Sequence, residues 1–112
     1  MPLTGKQKHV LRGIGQLLDP LAHVGKEGIS DDAIAAIEDL FRRRELIKVR
    51  VLKTAPDDTK TTAVQLAEAT HSDVAGRVGF TFLLYRPNPE LKTRIVLPPA
   101  KSEEVTEDSA NS

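Results

Sequence analysis

From Leu46 to Lys53 the chain alternates without a break, with Ile47, Val49 and Val51 on one face and Lys48, Arg50 and the flanking leucines on the other. Successive side chains of a strand point to opposite sides, so this octet predicts a β-strand with one apolar face. A single strand cannot bury such a face, whereas a sheet covered by helices can. The segments on either side supply helices. From about Asp31 to Arg44 the apolar positions Ile34, Ile37, Leu40 and Phe41 recur at helical spacing behind Ser30, a natural N-cap. From Thr59 to Thr70 a second helix buries Ala63, Leu66 and Ala67.

The remaining elements extend the same alternation. Thr4-Gly5-Lys6-Gln7 has the form of a capping box, and Val10, Leu11, Ile14, Leu17 and Leu18 follow at helical spacing until Asp19-Pro20 ends the pattern. Leu21 to Val24 reads as a brief strand. Val74 to Val78 and Phe80 to Tyr85 are β-rich runs either side of Gly79, a hairpin or bulged pair, and Ile95 to Leu97 reads as a short edge strand. The order α-β-α-β-α-β-β predicts an α/β fold, a small sheet covered by helices in a single compact domain over residues 1–97. From Pro98 the tail is polar and acidic, and disorder is expected over its last dozen or so residues.

The formal charge is zero, with 16 basic and 16 acidic residues, but the distribution is uneven. After Pro98, Lys101 stands against Glu103, Glu104, Glu107 and Asp108, so residues 1–98 carry a net +3. That excess lies wholly in residues 1–54, where Arg42, Arg43 and Arg44 are contiguous. A basic run of this kind is either a solvated surface that complements the dipole of the preceding helix or a phosphate-binding stripe. There is no cysteine, which removes disulfides and thiolate metal sites and suits a reducing, cytoplasmic setting. Apolar runs are only a few residues long and the Met1–Lys6 segment lacks a secretory core, so neither a membrane span nor an exported precursor is expected.

The candidate chemistry is anion binding. Gly25-Lys26-Glu27-Gly28 lies between the short strand and the helix behind Ser30. Glycines there let backbone amides approach a phosphate beside the positive end of a helix, and Lys26 adds a mobile charge. Lys48 and Arg50 project from the apolar strand's other face, where they either meet solvent as phosphate ligands or lie beneath a helix. Lys6 and Arg12 sit near the polar side of the first helix. Arg86, after Tyr85, either reaches a phosphate or pairs with a carboxylate, and Tyr85 itself reads as core or rim. His9, His23 and His71 are dispersed, and no nucleophile motif is present, so no metal, cofactor or catalysis is expected. With Phe41, Phe80, Phe82 and Tyr85 as the whole aromatic supply, binding would rest mainly on phosphate and shape.

Thr4-Gly5-Lys6-Gln7, Val24 to Ile29 (VGKEGI), Glu45 to Val49 (ELIKV) and Gly79 with Phe82 to Pro87 (FLLYRP) together resemble the YhbY family, the stand-alone bacterial form of the CRM RNA-binding domain. The resemblance covers roughly residues 3–97. It implies a fold like the C-terminal domain of translation initiation factor three, RNA binding, and association with precursors of the large ribosomal subunit, without catalysis. In that family the glycine loop is likened to the RNA-clamping loop of KH domains, which Gly25, Lys26 and Gly28 match. This chain departs from the pattern at Glu27, a negative charge within the loop, and at Phe80, where members often carry lysine; there a cation gives way to apolar packing or base stacking. The expected function is therefore a monomeric RNA-binding protein that assists large-subunit assembly. A protein-interaction adaptor on ribosomal or assembly proteins is the competing class.

Overall fold

The computed structural model describes residues 3–99. Helix α1 (Gly5–Gly15) starts at the capping box: the Thr4 hydroxyl accepts from the Gln7 amide at 3.1 Å, and the Gln7 side-chain carbonyl accepts from the Thr4 amide at 3.0 Å. The helix ends before Leu17 and Leu18, contrary to the apolar pattern. Their amides donate to Ile14 and Gly15 carbonyls, i→i−3 bonds that tighten the last turn and leave Leu17 88 % exposed.

There follow β1 (Ala22–Val24), α2 (Asp31–Phe41), β2 (Leu46–Val51), α3 (Thr59–Thr70), β3 (Asp73–Val78) and β4 (Thr81–Tyr85). Both later helices start from side-chain caps, the Ser30 hydroxyl accepting from the Ala33 amide and the Asp58 carboxylate from the Thr61 amide. Helix α3 stops at His71, whose φ of 55° turns the chain left-handed. The sheet order is β1-β2-β4-β3, with β1 parallel to β2 and β4 antiparallel to both of its neighbours. The chain thus crosses over through α2 to a neighbouring position and through α3 to a position one strand further, and the closing hairpin slots β4 into the gap.

Strand β2 sorts the core as its alternation requires. Ile47, Val49 and Val51 meet Ile37 and Phe41 of α2, Ala63 and Leu66 of α3, and Phe82 and Leu84 of β4. On the other face Leu46, Ala75, Leu83 and Tyr85 gather beneath Leu11 of α1, with Ile14, Leu18, Ile95 and Leu97 packed around them. Burying one side chain of this size stabilises the fold by about 1.5–3 kcal/mol, so two opposed apolar layers hold the sheet from both sides. The result is a three-layer arrangement, α1 on one face and α2 with α3 on the other.

Two further expectations are corrected. Helix α2 ends at Phe41, so Arg42 to Arg44 form no basic last turn; Arg42 is the C-cap and the Arg43 and Arg44 amides both donate to the Leu40 carbonyl. Ile95 to Leu97 is not a strand, because the Ile95 amide donates to the buried Glu45 carboxylate at 2.8 Å in place of a ladder partner. The carbonyl of Pro98, the first residue of the expected tail, accepts from the Gln7 side chain at 3.0 Å. The rest of the tail, residues 100–112, lies outside the described residues.

Candidate nucleic-acid interface

The register of the sheet decides which polar side chains share a surface. Since Ile47, Val49 and Val51 point into the core beneath α2 and α3, Lys48 and Arg50 point to the α1 side. Arg50 pairs with His23 on β1 and Thr81 on β4, and Thr81 pairs with Val78 on β3, so these four residues form a row across the sheet. Lys48, Leu83 and Gly76 form the next row. Helix α1 covers the Leu46 and Tyr85 end of this face and stops short of the Arg50 row, which is why the row is open.

Two grooves lie on the uncovered part. One, of about 390 Å³, is lined by Arg12, Gln16, Lys48, Gly76, Arg77 and Leu83 among others. The second, of about 400 Å³, is lined by Arg50, Leu52, Lys53 and Phe80. Val78 and Thr81 line both and join them. Arg12, Lys48, Arg50, Lys53 and Arg77 line the joined grooves and, among the described residues, no acid does; Arg77 is the register partner of Phe82 and so points to the α2 and α3 side of the sheet. In a chain with equal numbers of acids and bases this is local segregation of charge.

Packing positions the two innermost cations. A Cβ at Gly76 would lie 2.6 Å from Cγ of Arg12, so the bare backbone of β3 is the bed on which the Arg12 stem rests. Lys48 is half-buried, and its Nζ donates to the Leu18 carbonyl at 3.2 Å, at the point where α1 has ended. An ammonium has three donors, so this bond leaves Lys48 with capacity for an anion. Arg77 also lies near enough to Asp58 to help hold its carboxyl below the usual range, behind the larger effect of the Thr61 hydrogen bonds.

The glycine loop sits at one end of this surface. Gly25 to Gly28 is a turn closed by the Gly28 amide donating to the Gly25 carbonyl at 2.9 Å, with Gly28 at φ 65°. Leu52 and Thr54 lie in ordinary contact distance of Gly25, and Leu52 also lines the second groove. Lys26 and Glu27 are both exposed. The amide geometry differs from a free anion cradle: the Gly28 amide closes the turn, the Ala33 amide serves the Ser30 cap, and Asp31 and Asp32 place two carboxylates in the first turn of α2. Lys26 is the one cation of the loop, and it is exposed.

The other candidates lie elsewhere. Lys6 lines neither groove; six residues before Arg12 on α1, it is about 9 Å along the axis and 120° around from it. Arg86 is on the α2 and α3 side, where Nη1 lies 2.9 Å from a Glu38 carboxylate oxygen, donates to the Thr70 carbonyl at 2.7 Å, and the guanidinium stands 4.6 Å over the Phe41 ring. Its three partners tie β4 to both helices, so it is not brought to the grooves. Tyr85 is buried, and burial together with the Glu45 charge pushes its hydroxyl pKa up, which leaves a neutral core residue. Among the described residues no group of three or more His, Asp or Glu comes together to hold a metal, and no helix is long and apolar enough to cross a membrane.

Sequence reasoning missed Arg77 and Lys53. Plain alternation from Val74 would put Arg77 on the α1 side, but the register shift between Val74 and Gly76 turns it to the side of Phe82, so it lines the groove only at its edge. Lys53 lies beyond the end of β2, where period two no longer applies.

Comparison with known proteins sets this geometry in a family. The family model described as CRS1 / YhbY (CRM) domain matches residues 3–86. The Bacillus subtilis protein named "Probable RNA-binding protein YqeI" is 40 % identical over 96 residues, which cover 86 % of this chain and 99 % of that one. Methanocaldococcus jannaschii MJ0652, also named a probable RNA-binding protein, is 38 % identical over 101 residues, covering 88 % of this chain and 75 % of its own length. The solution structure of Staphylococcus aureus SAV1595 superposes with a TM-score of 0.74 at 43 % identity, covering 86 % of this chain and 99 % of that one. Taken with the three-layer fold and the residues quoted from its markers, these matches show that the chain belongs to the CRS1/YhbY (CRM) domain family.

Proposed function

We propose that this protein binds RNA along the joined grooves of its α1-side sheet face, and that its RNA is that of the large ribosomal subunit or its precursor. The observation that carries the reading is the gathering of Arg12, Lys48, Arg50 and Lys53, with no acid among the described residues, over a surface the helices leave open. Phosphates would lie on Arg12, Lys48 and Arg50, with Lys26 at the glycine loop holding register. Relatives named as RNA-binding proteins support the same reading. In this role the chain acts as a cytoplasmic monomer that assists ribosome assembly by binding, with no chemistry of its own.

The test is affinity for fragments of large-subunit ribosomal RNA across a salt series, beside an unrelated structured RNA of equal length. Neutralising some four or five phosphates predicts a slope of log K against log salt on the order of −3 to −4, and tighter binding to the ribosomal fragments. A flat salt response, with partners retained after nuclease treatment, would instead establish a protein-interaction adaptor.

A further inference from the structure

Phe80 is the residue the fold leaves without a use. It belongs to neither apolar cluster and is 62 % exposed, beside Val78 at 75 % and Leu52 at 40 %. It is nonetheless held firmly. Its carbonyl accepts from the Val51 amide at 2.7 Å, the preceding Gly79 turns at φ 58°, and the Thr81 hydroxyl donates across the turn to the Val78 carbonyl at 2.9 Å. The ring is thus carried on a backbone fixed to β2 on one side and closed on itself on the other. Arg50 and Lys53 line the same groove and, among the described residues, no carboxylate does.

An exposed aromatic face on a fixed turn, rimmed by cations, is complementary to a partner that joins a flat apolar ring to an anion. An unpaired nucleotide is such a partner. We propose that Phe80 is a stacking platform for one unpaired RNA base, with Arg50 and Lys53 holding the adjoining phosphates. This rests on the RNA-binding reading and narrows its ligand to RNA that presents an unpaired base next to a paired or structured stretch. Bases stacked within a duplex offer no free face to Phe80, while the cations of the joined grooves attract duplex and single strand alike.

The test compares the full-length chain with Phe80→Ala and Phe80→Tyr on two RNAs of equal phosphate number, a hairpin with an adenosine loop and a blunt duplex. Because Phe80 is outside the core, all three proteins should melt together, which a thermal scan checks. Wild type and Phe80→Tyr should prefer the hairpin, and Phe80→Ala should lose roughly five- to a hundredfold in hairpin affinity with duplex affinity and salt slope unchanged. Equal effects on both RNAs, no effect on either, or a Phe80→Tyr variant that behaves like Phe80→Ala would overturn the stacking role alone. A wild-type chain that binds neither RNA would overturn the RNA-binding reading and this proposal with it.

Discussion

Glu45 shows how much one side chain can organise. It is 3 % exposed, and its carboxylate accepts from the Asn88 amide at 2.7 Å, the Ile95 amide at 2.8 Å and Nε of Arg94 at 3.0 Å. Burial pushes its pKa up, but the two amides and Arg94 outweigh burial and hold it below the ordinary 4.5. A carboxyl whose folded pKa is depressed stabilises the fold above its unfolded pKa, and that contribution is lost as pH falls through the folded value. Glu45→Gln removes the charge and turns a donor toward other donors, so it should cost about 2–3 kcal/mol in urea melts at neutral pH. The gap between the two proteins should narrow below about pH 4.5, the ordinary carboxylate value, as the wild-type carboxylate takes up its proton. An equal gap at both pH values would show that the carboxylate's charge is not what matters.

Among the elements, the approach of α1 to the sheet is set by two glycines. A Cβ on Gly15 would collide with Leu83, and one on Gly76 would displace Arg12. Gly76 has no positive φ, so Gly76→Ala meets only the flexible Arg12 stem and should change stability by less than about 1 kcal/mol. It should nevertheless weaken RNA binding about as much as Arg12→Ala does, and the double variant should add little, because both changes remove the same seated guanidinium. Additive losses in that cycle would place Arg12 elsewhere when RNA is bound. At this scale the elements were legible because β2 alternates without interruption and each helix carries its own cap, at Thr4, Ser30 and Asp58. Helix ends and the Ile95 segment were not, since tertiary partners settle them: Leu18 offers its carbonyl to Lys48, and Ile95 follows Glu45. The site was half legible. Parity puts Lys48 and Arg50 on one face, yet nothing in the sequence says how far α1 extends over it, or that Arg86 is claimed by Glu38, Thr70 and Phe41.

Across the whole molecule, the two markers most useful for the resemblance, ELIKV and LLYRP, hold the fold together more than they reach toward a ligand. Glu45 binds the Asn88 to Ile95 segment, Tyr85 is core, and Arg86 clasps both helices. The family match ends at residue 86, before the residues that satisfy Glu45. A fragment ending at Arg86 should therefore be strongly destabilised, by about 3–5 kcal/mol, as a buried carboxylate loses all of these donors. A chain ending at Pro98 should melt like the full protein, and adding Glu45→Leu to the shorter fragment should recover part of the loss. Equal melting of the Arg86 and Pro98 forms, followed by circular dichroism, would show that the segment is dispensable.

The tether also gives the chain an order in time. Glu45 is made some forty residues before Asn88, Arg94 and Ile95, so during synthesis an acid waits for donors that are made later. Neither α1 nor the sheet can seal the apolar layer they share until Ile95 and Leu97 arrive to complete it. The growing chain therefore closes this apolar layer only once residues 88–97 have been made.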